Sequence, residues 1–558
     1  MLRLFARISC FVVAGLVLLL WLTHCKPQDL PAPPTILSVS PVSAPVGASL
    51  VITGSNFSTN PADNLVRFGD KQAVVIAATP TQLTIIIPAE AGLSLTVSVK
   101  GATSNAYNLP HILLNTLDVS GEIRANTTFT SSNIYLLRGF VYVTNGATLT
   151  IEPGTVIKGG TLSQDPLGQN RAAVLIVEPG AKLIANGTAQ RPIVFTSSKP
   201  AGQRNYGDWG GIVLIGKAPH NRPATMQFGF GIRGTFGAFN EPSDNSGSLQ
   251  YVRIEFAGGA GLCCSEFNAL SLYGVGSGTV LNYVQVSYSG DDSVEWFGGT
   301  VNARHLVSFR TFDDDFDLDW GYTGKVQFAL ALRDPEVADN SGSNCIESDN
   351  FDPGEIGTPE PNKGLPLTRS IFANVSSFAF ASTPPGYLQN APKGSGPFQA
   401  ALHIRRNSAS SVINSLFVGW PEGLRLEGAS TWQNAMNGSL EIQGTVLANV
   451  GTSTTTAVRG GTSLTNEQVQ TYFLSSNRQN QLVPLSGLST LLLSPATFNL
   501  TSPAFLLQTG SPLLQGGIAD GKLTDPFFTP TTYRGAFGST DWTLGWTNWT
   551  PQTTNYDR

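Results

Sequence analysis

Residues 149–157 read L-T-I-E-P-G-T-V-I, and residues 175–184, which begin 26 positions later, read L-I-V-E-P-G-A-K-L-I. A second related pair, 249–258 and 281–290, is offset by 32 positions. Each copy holds short apolar strands and turn residues, and one copy alone cannot bury its apolar side. Stacking of copies buries it, so the pattern predicts a solenoid, and a right-handed parallel β-helix fits best. A β-propeller is the alternative, but its period of about 40 residues is missing.

The composition is that of an all-β protein. Of 558 residues, 13% are charged and 41% hydrophobic, with 59 glycines and 35 prolines, which argues against a helical protein. The length exceeds one ordinary core and predicts more than one domain. The net charge is −5 and no basic patch is present, so nucleic acid is not an expected partner.

The N-terminus carries a targeting pattern. Arg3 and Arg7 precede an apolar run, 11–21, that is too short for an ordinary membrane span. It ends at L-T-H-C, with Cys25 last, and this resembles a bacterial lipoprotein signal. The resemblance implies cleavage after residue 24, a lipidated Cys25 and an outer-membrane location on the periplasmic or cell-surface leaflet. An uncleaved anchor helix is the alternative. Residues 25–34, rich in proline, are predicted to form a stiff tether.

Residues 35–110 alternate short strands with turns, which predicts an antiparallel sandwich. This region resembles an IPT/TIG domain, an immunoglobulin-like module. The resemblance rests on residues 36–41, 45–47, 54–57 and 66–69. It implies a spacer or a binding support and carries over no catalytic residue.

Residues 117–552 form the predicted β-helix domain. One short helix is expected within it, because Thr465 and Gln468 make a capping box. Trp542, Trp546 and Trp549 are predicted to cap the last coil, and stacking on sugars is the alternative. The domain resembles surface lipoproteins of the Bacteroidota type, on the segments 289–299, 313–317, 325–335 and 346–350 and the Trp-rich end. The resemblance implies architecture and location and no activity.

Acidic residues are concentrated in residues 291–355, which contain 15 of the 38 in the chain and only four lysines and arginines. Within this stretch, residues 311–321 read T-F-D-D-D-F-D-L-D-W-G. In a β-strand the alternate aspartates would share one face and the apolar residues the other. Apolar residues continue at even-numbered positions after this stretch, at Val326, Phe328, Leu330 and Leu332. We therefore expect the even-numbered side chains to point into the core and the odd-numbered carboxylates to point outward.

Calcium is the leading explanation for this density of carboxylates, because Ca²⁺ binds six to eight hard oxygen donors. The candidate ligands are Asp313, Asp315, Asp317, Asp319, Asp291 and Asp292. No EF-hand or nonapeptide signature is present, so the prediction is compositional. A solvated acidic face without a site is the alternative. No organic cofactor is expected.

Catalysis is a further alternative, with Asp291, Asp292 and His305 as candidates. Paired carboxylates serve as general acid and base in glycoside hydrolysis. Residues 290–292, G-D-D, resemble the paired aspartates of pectin-hydrolysing β-helix enzymes, but the Gly-His-Gly and Arg-x-Lys elements of that family are missing. His305 occupies an odd-numbered position, so it could face the acidic residues, and a surface histidine without a role is the alternative. Because the set of catalytic residues is incomplete, the sequence favours binding over polysaccharide lyase or hydrolase activity.

Three cysteines lie outside the leader, and Cys345 is expected to pair with Cys263 or Cys264 in an oxidising compartment.

Together these features predict a lipid-anchored surface protein whose β-helix presents an acidic, calcium-binding face. A glycan or an outer-membrane protein is the expected partner. A carbohydrate-active enzyme and an adhesin remain the alternatives.

Overall fold

The computed structural model describes residues 32–88, 91–110, 113–259, 267–350, 364–452 and 456–557. The chain forms two compact units, which meet in sequence between Asn115 and Thr116. The leader, Cys25, Cys263 and Cys264 lie outside the described residues, and with them the predicted lipidation and one half of the predicted disulfide. Cys345 is fully buried in the core of the second unit, without a disulfide to any described residue. No helix within the described ranges is long and apolar enough to cross a membrane.

The first unit is an antiparallel β-sandwich, as predicted. One sheet has the order β1-β2-β6-β5 and the other β4-β3-β7-β8, with β9 beside β7. Alternate residues of β2 and β7 point into a core that includes Leu50, Ile52, Leu95 and Val97. The strands are β1 (Thr35–Ser40), β2 (Ser49–Ser55), β3 (Asn64–Phe68), β4 (Lys71–Gln72), β5 (Val74–Ala78), β6 (Gln82–Ile86), β7 (Ser94–Val99), β8 (Ala102–Thr103) and β9 (Tyr107–Asn108).

The second unit is a parallel solenoid. Its strands are β10 (Asn115–Ile123), β11 (Thr127–Phe129), β12 (Asn133–Val143), β13 (Thr148–Ile151), β14 (Val156–Gly159), β15 (Val174–Val177), β16 (Lys182–Asn186), β17 (Ile193–Ser197), β18 (Gly211–Ile215), β19 (Gly247–Glu255), β20 (Leu270–Tyr273), β21 (Val280–Ser287), β22 (Val294–Phe297), β23 (Asn302–Phe309), β24 (Phe316–Asp319), β25 (Lys325–Leu332), β26 (Ile346–Ser348), β27 (Ile371–Phe378), β28 (Ala400–Ile404), β29 (Ser411–Ile413), β30 (Leu416–Val418), β31 (Glu422–Glu427), β32 (Ile442–Gln443), β33 (Val446–Ala448), β34 (Val458–Gly461) and β35 (Gln481–Val483).

Each strand pairs in parallel with the equivalent strand of the next coil, which gives three stacks. Sheet A contains the end of β12 and then β15, β18, β20, β22, β24, β26, β28, β31 and β34. Sheets B and C are formed by the first and second halves of long strands such as β21, β23 and β25. This arrangement confirms the predicted β-helix and rules out the propeller.

The corner between sheets B and C reverses the inward phase of the chain. The corner residue has a left-handed backbone in successive coils, for example Tyr283 (φ 58°), His305 (φ 53°) and Phe328 (φ 64°). Val326 therefore points into the core before the corner, and Ala329 and Ala331 do so after it. The prediction that the even-numbered residues from 326 to 332 point inward is wrong from Phe328 onward, because Phe328 stacks on His305 and is not part of the solenoid core.

The C-terminal segment, residues 484–557, runs back along the outside of the solenoid. Leu330 and Leu332 face outward and belong to the apolar cluster that this segment covers. Trp546 contacts Tyr251 and Tyr283 with ring centroids 5.9 and 5.7 Å away, at coils far from the last one. The prediction that the tryptophans cap the last coil is therefore wrong, since the side of the solenoid has its own apolar surface to cover.

Two helices interrupt the last coils. α1 (Ala429–Met436) was not expected from the sequence. α2 (Asn466–Phe473) begins at the predicted capping box, in which Thr465 and Gln468 bond to each other's backbone N–H groups. Short 3₁₀ segments lie at Pro61–Asp63, Leu162–Gln164, Ser476–Arg478, Leu485–Leu491, Pro512–Leu514 and Gly521–Thr524.

Candidate functional site

A column of charged side chains crosses the outer face of sheet A. The parallel register aligns one outward residue per coil, in the order Ser271, Glu295, Asp317, Glu347, His403, Arg425 and Arg459. Neighbouring strands of a sheet lie about 4.8 Å apart, so the side chains of this column are in contact. The column changes from acidic to basic along the solenoid axis.

The turns that lead into β22 and β24 add four more carboxylates. Asp291 and Asp292 precede β22, and Asp313 and Asp314 precede β24. An Asp292 carboxylate oxygen accepts a hydrogen bond from the backbone N–H of Asp314 at 2.8 Å, which holds the two turns together. The carboxylate of Asp313 accepts from the Ser341 hydroxyl at 2.6 Å.

These turns and strands bring seven acidic side chains into one carboxylate cluster. It contains three overlapping triplets, in each of which one oxygen per residue lies within 4.8 Å of the others. Asp292 and Asp317 each belong to two triplets, so one carboxylate could bridge two neighbouring cations. The triplets are Asp291, Asp292 and Asp313; Asp292, Glu295 and Asp317; and Asp314, Asp317 and Glu347.

The carboxylate cluster is strained electrostatically without a cation. Burial, and then the charges of neighbouring carboxylates, raise the pKa values of Asp292, Asp314 and Asp317 well above the ordinary range. Burial and the nearby Asp319 raise the pKa of Glu295 to about 8. Burial likewise raises the pKa of Asp313 to about 7. At neutral pH several of these groups therefore hold protons that a divalent cation would displace.

Two buried oxygen acceptors beside these carboxylates have no hydrogen-bond partner among the described residues. One is Oδ1 of Asp313, and the other is Oδ1 of Asn268, whose amide Nδ2 donates to Glu295. Buried polar atoms are rarely left unpaired. Oxygen donors of this kind match the ligand preference of Ca²⁺.

Basic groups on the next coils balance the other end of the column. His403 lies between Glu347 and Glu427, at 3.0 and 3.2 Å from their carboxylate oxygens. Burial alone would lower the pKa of His403, but these two carboxylates raise it, and His403 in turn holds the pKa of Glu427 at about 2. Arg405 bridges Glu347 and Asp349 at 2.8 Å each.

The predicted ligand set is only partly brought together. β24 begins at Phe316, and Asp317 and Asp319 point outward from it as the alternation predicts. Asp319 belongs to none of the three triplets. The prediction that Asp315 shares the face of Asp317 is wrong, because the chain turns before β24. Asp315 is fully buried and bonds to Arg333 at 3.2 Å and to Ser308 at 2.6 Å.

His305 is not near sheet A, and the prediction that it faces the acidic residues is wrong. It occupies the corner of sheets B and C, stacked on Tyr283 with ring centroids 4.2 Å apart. Its Nδ1 lies 2.8 Å from Oδ1 of Asn282. Burial lowers the pKa of His305 to about 4, so the ring is neutral.

Glu295, Asp314 and Glu347 were not among the predicted ligands. An alignment of the coils would have found two of them, since 294–298 (V-E-W-F-G) and 346–348 (I-E-S) match 316–318 (F-D-L) in strand register. Asp314 was the residue that broke the alternation, and it joins the outer face because it lies in a turn.

Two family models match the chain. One, described as a pectate-lyase-like beta helix domain, matches residues 121–481, and the IPT/TIG domain matches residues 34–111. No curated protein matches. The N-terminal sandwich is thus an IPT/TIG domain.

Three solved structures resemble the chain only at low TM-scores. An auxiliary nutrient binding protein from Bacteroides thetaiotaomicron is 21% identical over 16% of this chain and 25% of its own (TM-score 0.14). A gamma-CGTase from Alkalophilic bacillus clarkii is 27% identical over 16% and 14% (0.14). A family 28 exopolygalacturonase of Yersinia enterocolitica is 9% identical over 75% and 96% (0.19).

Proposed function

Because this chain belongs to the family of pectate-lyase-like β-helix domains, we propose that the carboxylate cluster on sheet A binds calcium and, with calcium, an acidic glycan. The observation that carries the proposal is the set of three overlapping carboxylate triplets with oxygens within 4.8 Å. Ca²⁺ tolerates irregular shells of six to eight oxygens, whereas Mg²⁺ demands a near-ideal octahedron. A cluster of shared carboxylates on a sheet therefore suits Ca²⁺ better.

The one-sided geometry of the site supports the proposal of a glycan ligand. Ligands that project from the face of a sheet reach a cation from below, which leaves its outer positions to water or to a ligand. A sugar carboxylate supplies hard oxygens of the type that calcium prefers. Arg406, whose side chain is 42% exposed, lies beside Asp349 on the same face. Its guanidinium adds a positive charge at the edge of the site.

The metal is tested by calorimetric titration of chelator-stripped protein with Ca²⁺ and with Mg²⁺. We expect a dissociation constant on the order of 1–10 µM for Ca²⁺, proton release on binding, and weaker binding of Mg²⁺. Asp292→Asn and Asp317→Asn each affect two triplets and should weaken binding at least tenfold. Asp319→Asn, from the same strand but in none of the triplets, is the matched comparison and should weaken binding much less. Equal losses in all three variants would contradict the assignment.

The glycan is tested by titration with polygalacturonate, with dextran as the neutral control. Binding is expected in calcium and not in chelator, and it should disappear in Asp317→Asn. Binding of dextran, or binding of polygalacturonate in chelator, would contradict a calcium-dependent acidic site.

One observation favours a second function, hydrolysis of a glycan. Carboxylate oxygens of Glu295 and Asp317 lie within 4.8 Å of each other, and burial raises the pKa of Glu295 to about 8. A carboxylic acid that stays protonated at neutral pH can act as the general acid that glycoside hydrolysis needs. Release of reducing ends from polygalacturonate that stops in Glu295→Gln would support it. Binding without any product would favour the first function.

The location rests on the sequence alone. We propose that Cys25 is lipidated and holds the protein at the outer membrane. Mass spectrometry of the mature N-terminus should find an acylated Cys25, and a Cys25→Ser variant should be released from membranes. An unmodified Met1 would exclude this processing.

A further inference from the structure

We propose that a pocket between α1 and α2 binds a small aromatic carboxylate. The pocket lies at the late coils of the solenoid, between helices that follow β31 and β34, and it shares no residue with the carboxylate cluster. Its volume is about 490 Å³, which falls within the range of small-molecule sites. The proposal is therefore independent of the calcium site.

The walls of the pocket are aromatic and apolar. Trp432 and Met436 are one turn apart on α1, and Tyr472 faces them from α2, with its ring centroid 5.9 Å from that of Trp432. The hydroxyl of Tyr472 donates to the carbonyl of Leu440 at 3.1 Å, which fixes the ring. Ala435 lines the same pocket and is almost fully buried, and Met436 is 60% exposed at the rim. A flexible Met beside rigid rings adapts to a flat apolar ligand.

Three of the polar side chains around the pocket are already hydrogen-bonded within the protein. Gln468 and Thr465 bond to each other's backbone N–H groups in the capping box, at 2.8 and 3.2 Å. The Ser475 hydroxyl donates to the carbonyl of Tyr472 at 2.8 Å. A sugar, which needs many hydrogen-bond partners, would lose its water contacts here without replacement. An apolar ligand does not have this cost.

Arg478 gives the pocket a charged hydrogen-bond donor. Its guanidinium lies 3.7 Å from the ring centroid of Tyr472, and its Nε is buried without a hydrogen-bond partner among the described residues. A buried N–H of a cation is costly to leave unpaired, and a carboxylate is its best partner. Glu467 also lines the pocket but is exposed, so solvent screens its charge. The pocket thus combines a flat apolar body with one anion-binding group.

The test uses the full chain, with naphthoate as the probe and the uncharged naphthamide as its matched analogue. Calorimetry should show one naphthoate per chain and naphthamide binding at least about tenfold weaker, the factor expected for one charged hydrogen bond. Arg478→Gln should reduce naphthoate binding to the level of naphthamide. Trp432→Ala should weaken both probes. Arg124→Gln, an exposed arginine on an early coil, is the control and should change neither.

Two outcomes would overturn the proposal. Equal affinity for the two probes would exclude recognition of the carboxylate by Arg478. Naphthoate binding that survives in Trp432→Ala would place the ligand elsewhere. Trp432→Ala also removes packing against Tyr472 in the last coils, so Thr471→Leu gives a second variant that fills the pocket instead of emptying it and should also abolish binding. Thermal unfolding of each variant shows that the fold is kept.

Discussion

Arg333 is a buried cation on which the carboxylate-bearing turn before β24 depends. It bonds to Asp315 with both side chains fully buried, and it also donates to the backbone carbonyl of Asp313. Replacing Arg333 with Met would leave the charge of Asp315 without compensation in the core. We expect the free energy of unfolding to fall by roughly 3–5 kcal/mol, measured by urea denaturation. Lys393→Met, at an exposed pair with Glu336, is the control, and a similar loss there would contradict the argument.

The acidic residues predict an unusual pH dependence. Glu295 has its pKa raised from 4.5 to about 8 by burial, so the folded state holds a proton that the unfolded state has lost at neutral pH. Stability in chelator should therefore fall as pH rises from about 4.5 to about 8. Asp313 and Asp319, with pKa values of about 7, act in the same direction. Calcium, which needs the ionised forms, should reduce this fall.

Thermal unfolding between pH 5 and pH 8, in chelator and in calcium, measures this effect. The pH slope in chelator should be smaller in Glu295→Gln, because the amide cannot titrate. A midpoint that rises with pH in chelator would show that these carboxylates are ionised and compensated by another partner.

Alternation along a strand predicted the orientation of individual residues only where the strand is regular. Asp317 and Asp319 lie within β24 and point outward as expected. Asp313 and Asp315 precede it in a turn, where period-two reasoning has no basis. Glu295 and Glu347 belong to the carboxylate cluster because of contacts between coils, and the sequence of a single segment does not reveal such contacts.

The turn between sheets B and C depends on one corner residue per coil, which adopts a left-handed backbone conformation. Asn374 and Asn414 occupy the corner of sheets B and C in two late coils, with φ of 55° and 53°. Asn tolerates this left-handed conformation better than most residues. The earlier coils use Tyr283, His305 and Phe328 there, which sequence gives no reason to expect. The phase reversal at Phe328 was therefore not predictable, whereas the asparagines were a usable signal.

Asn414 should be the most sensitive of these corners. Its amide donates to the carbonyl of Ile518 and accepts from the N–H of Ile518, both at 2.8 Å, which ties the corner to the C-terminal segment. Asn414→Ala should lower the free energy of unfolding by about 3 kcal/mol, from two lost hydrogen bonds and a strained backbone. Asn145 lies at an exposed turn with φ 57°, so Asn145→Ala measures only the cost of placing Ala in a left-handed conformation. This variant should lower the free energy of unfolding by only about 1 kcal/mol. Equal losses would mean that the bonds to Ile518 contribute little.

At the scale of the whole solenoid, the C-terminal segment joins coils that are far apart in sequence. It leaves the last strand, β35, bonds to Asn414 and Gln327 on the way, and ends beside the early coils. There the Tyr556 hydroxyl donates to Glu255 across 301 positions, at 2.7 Å. A solenoid is otherwise held by contacts between neighbouring repeats. The composition of this segment indicated an aromatic surface, but its course depends on an outer apolar stripe on the solenoid that the sequence did not reveal.

Removing residues 551–558 tests whether this segment stabilises the early coils. Arg204 is almost fully buried and donates to the carbonyls of Pro551 and Thr554 at 2.7 and 2.9 Å, and both acceptors would be lost. We expect the free energy of unfolding to fall by about 3 kcal/mol or more, since each bond involves a charged donor. Limited proteolysis should then cut the early coils before the late ones. Tyr556→Phe removes only the bond to Glu255 and should cost about 1 kcal/mol. Unchanged proteolysis of the truncated chain would show that the early coils are stable without the segment.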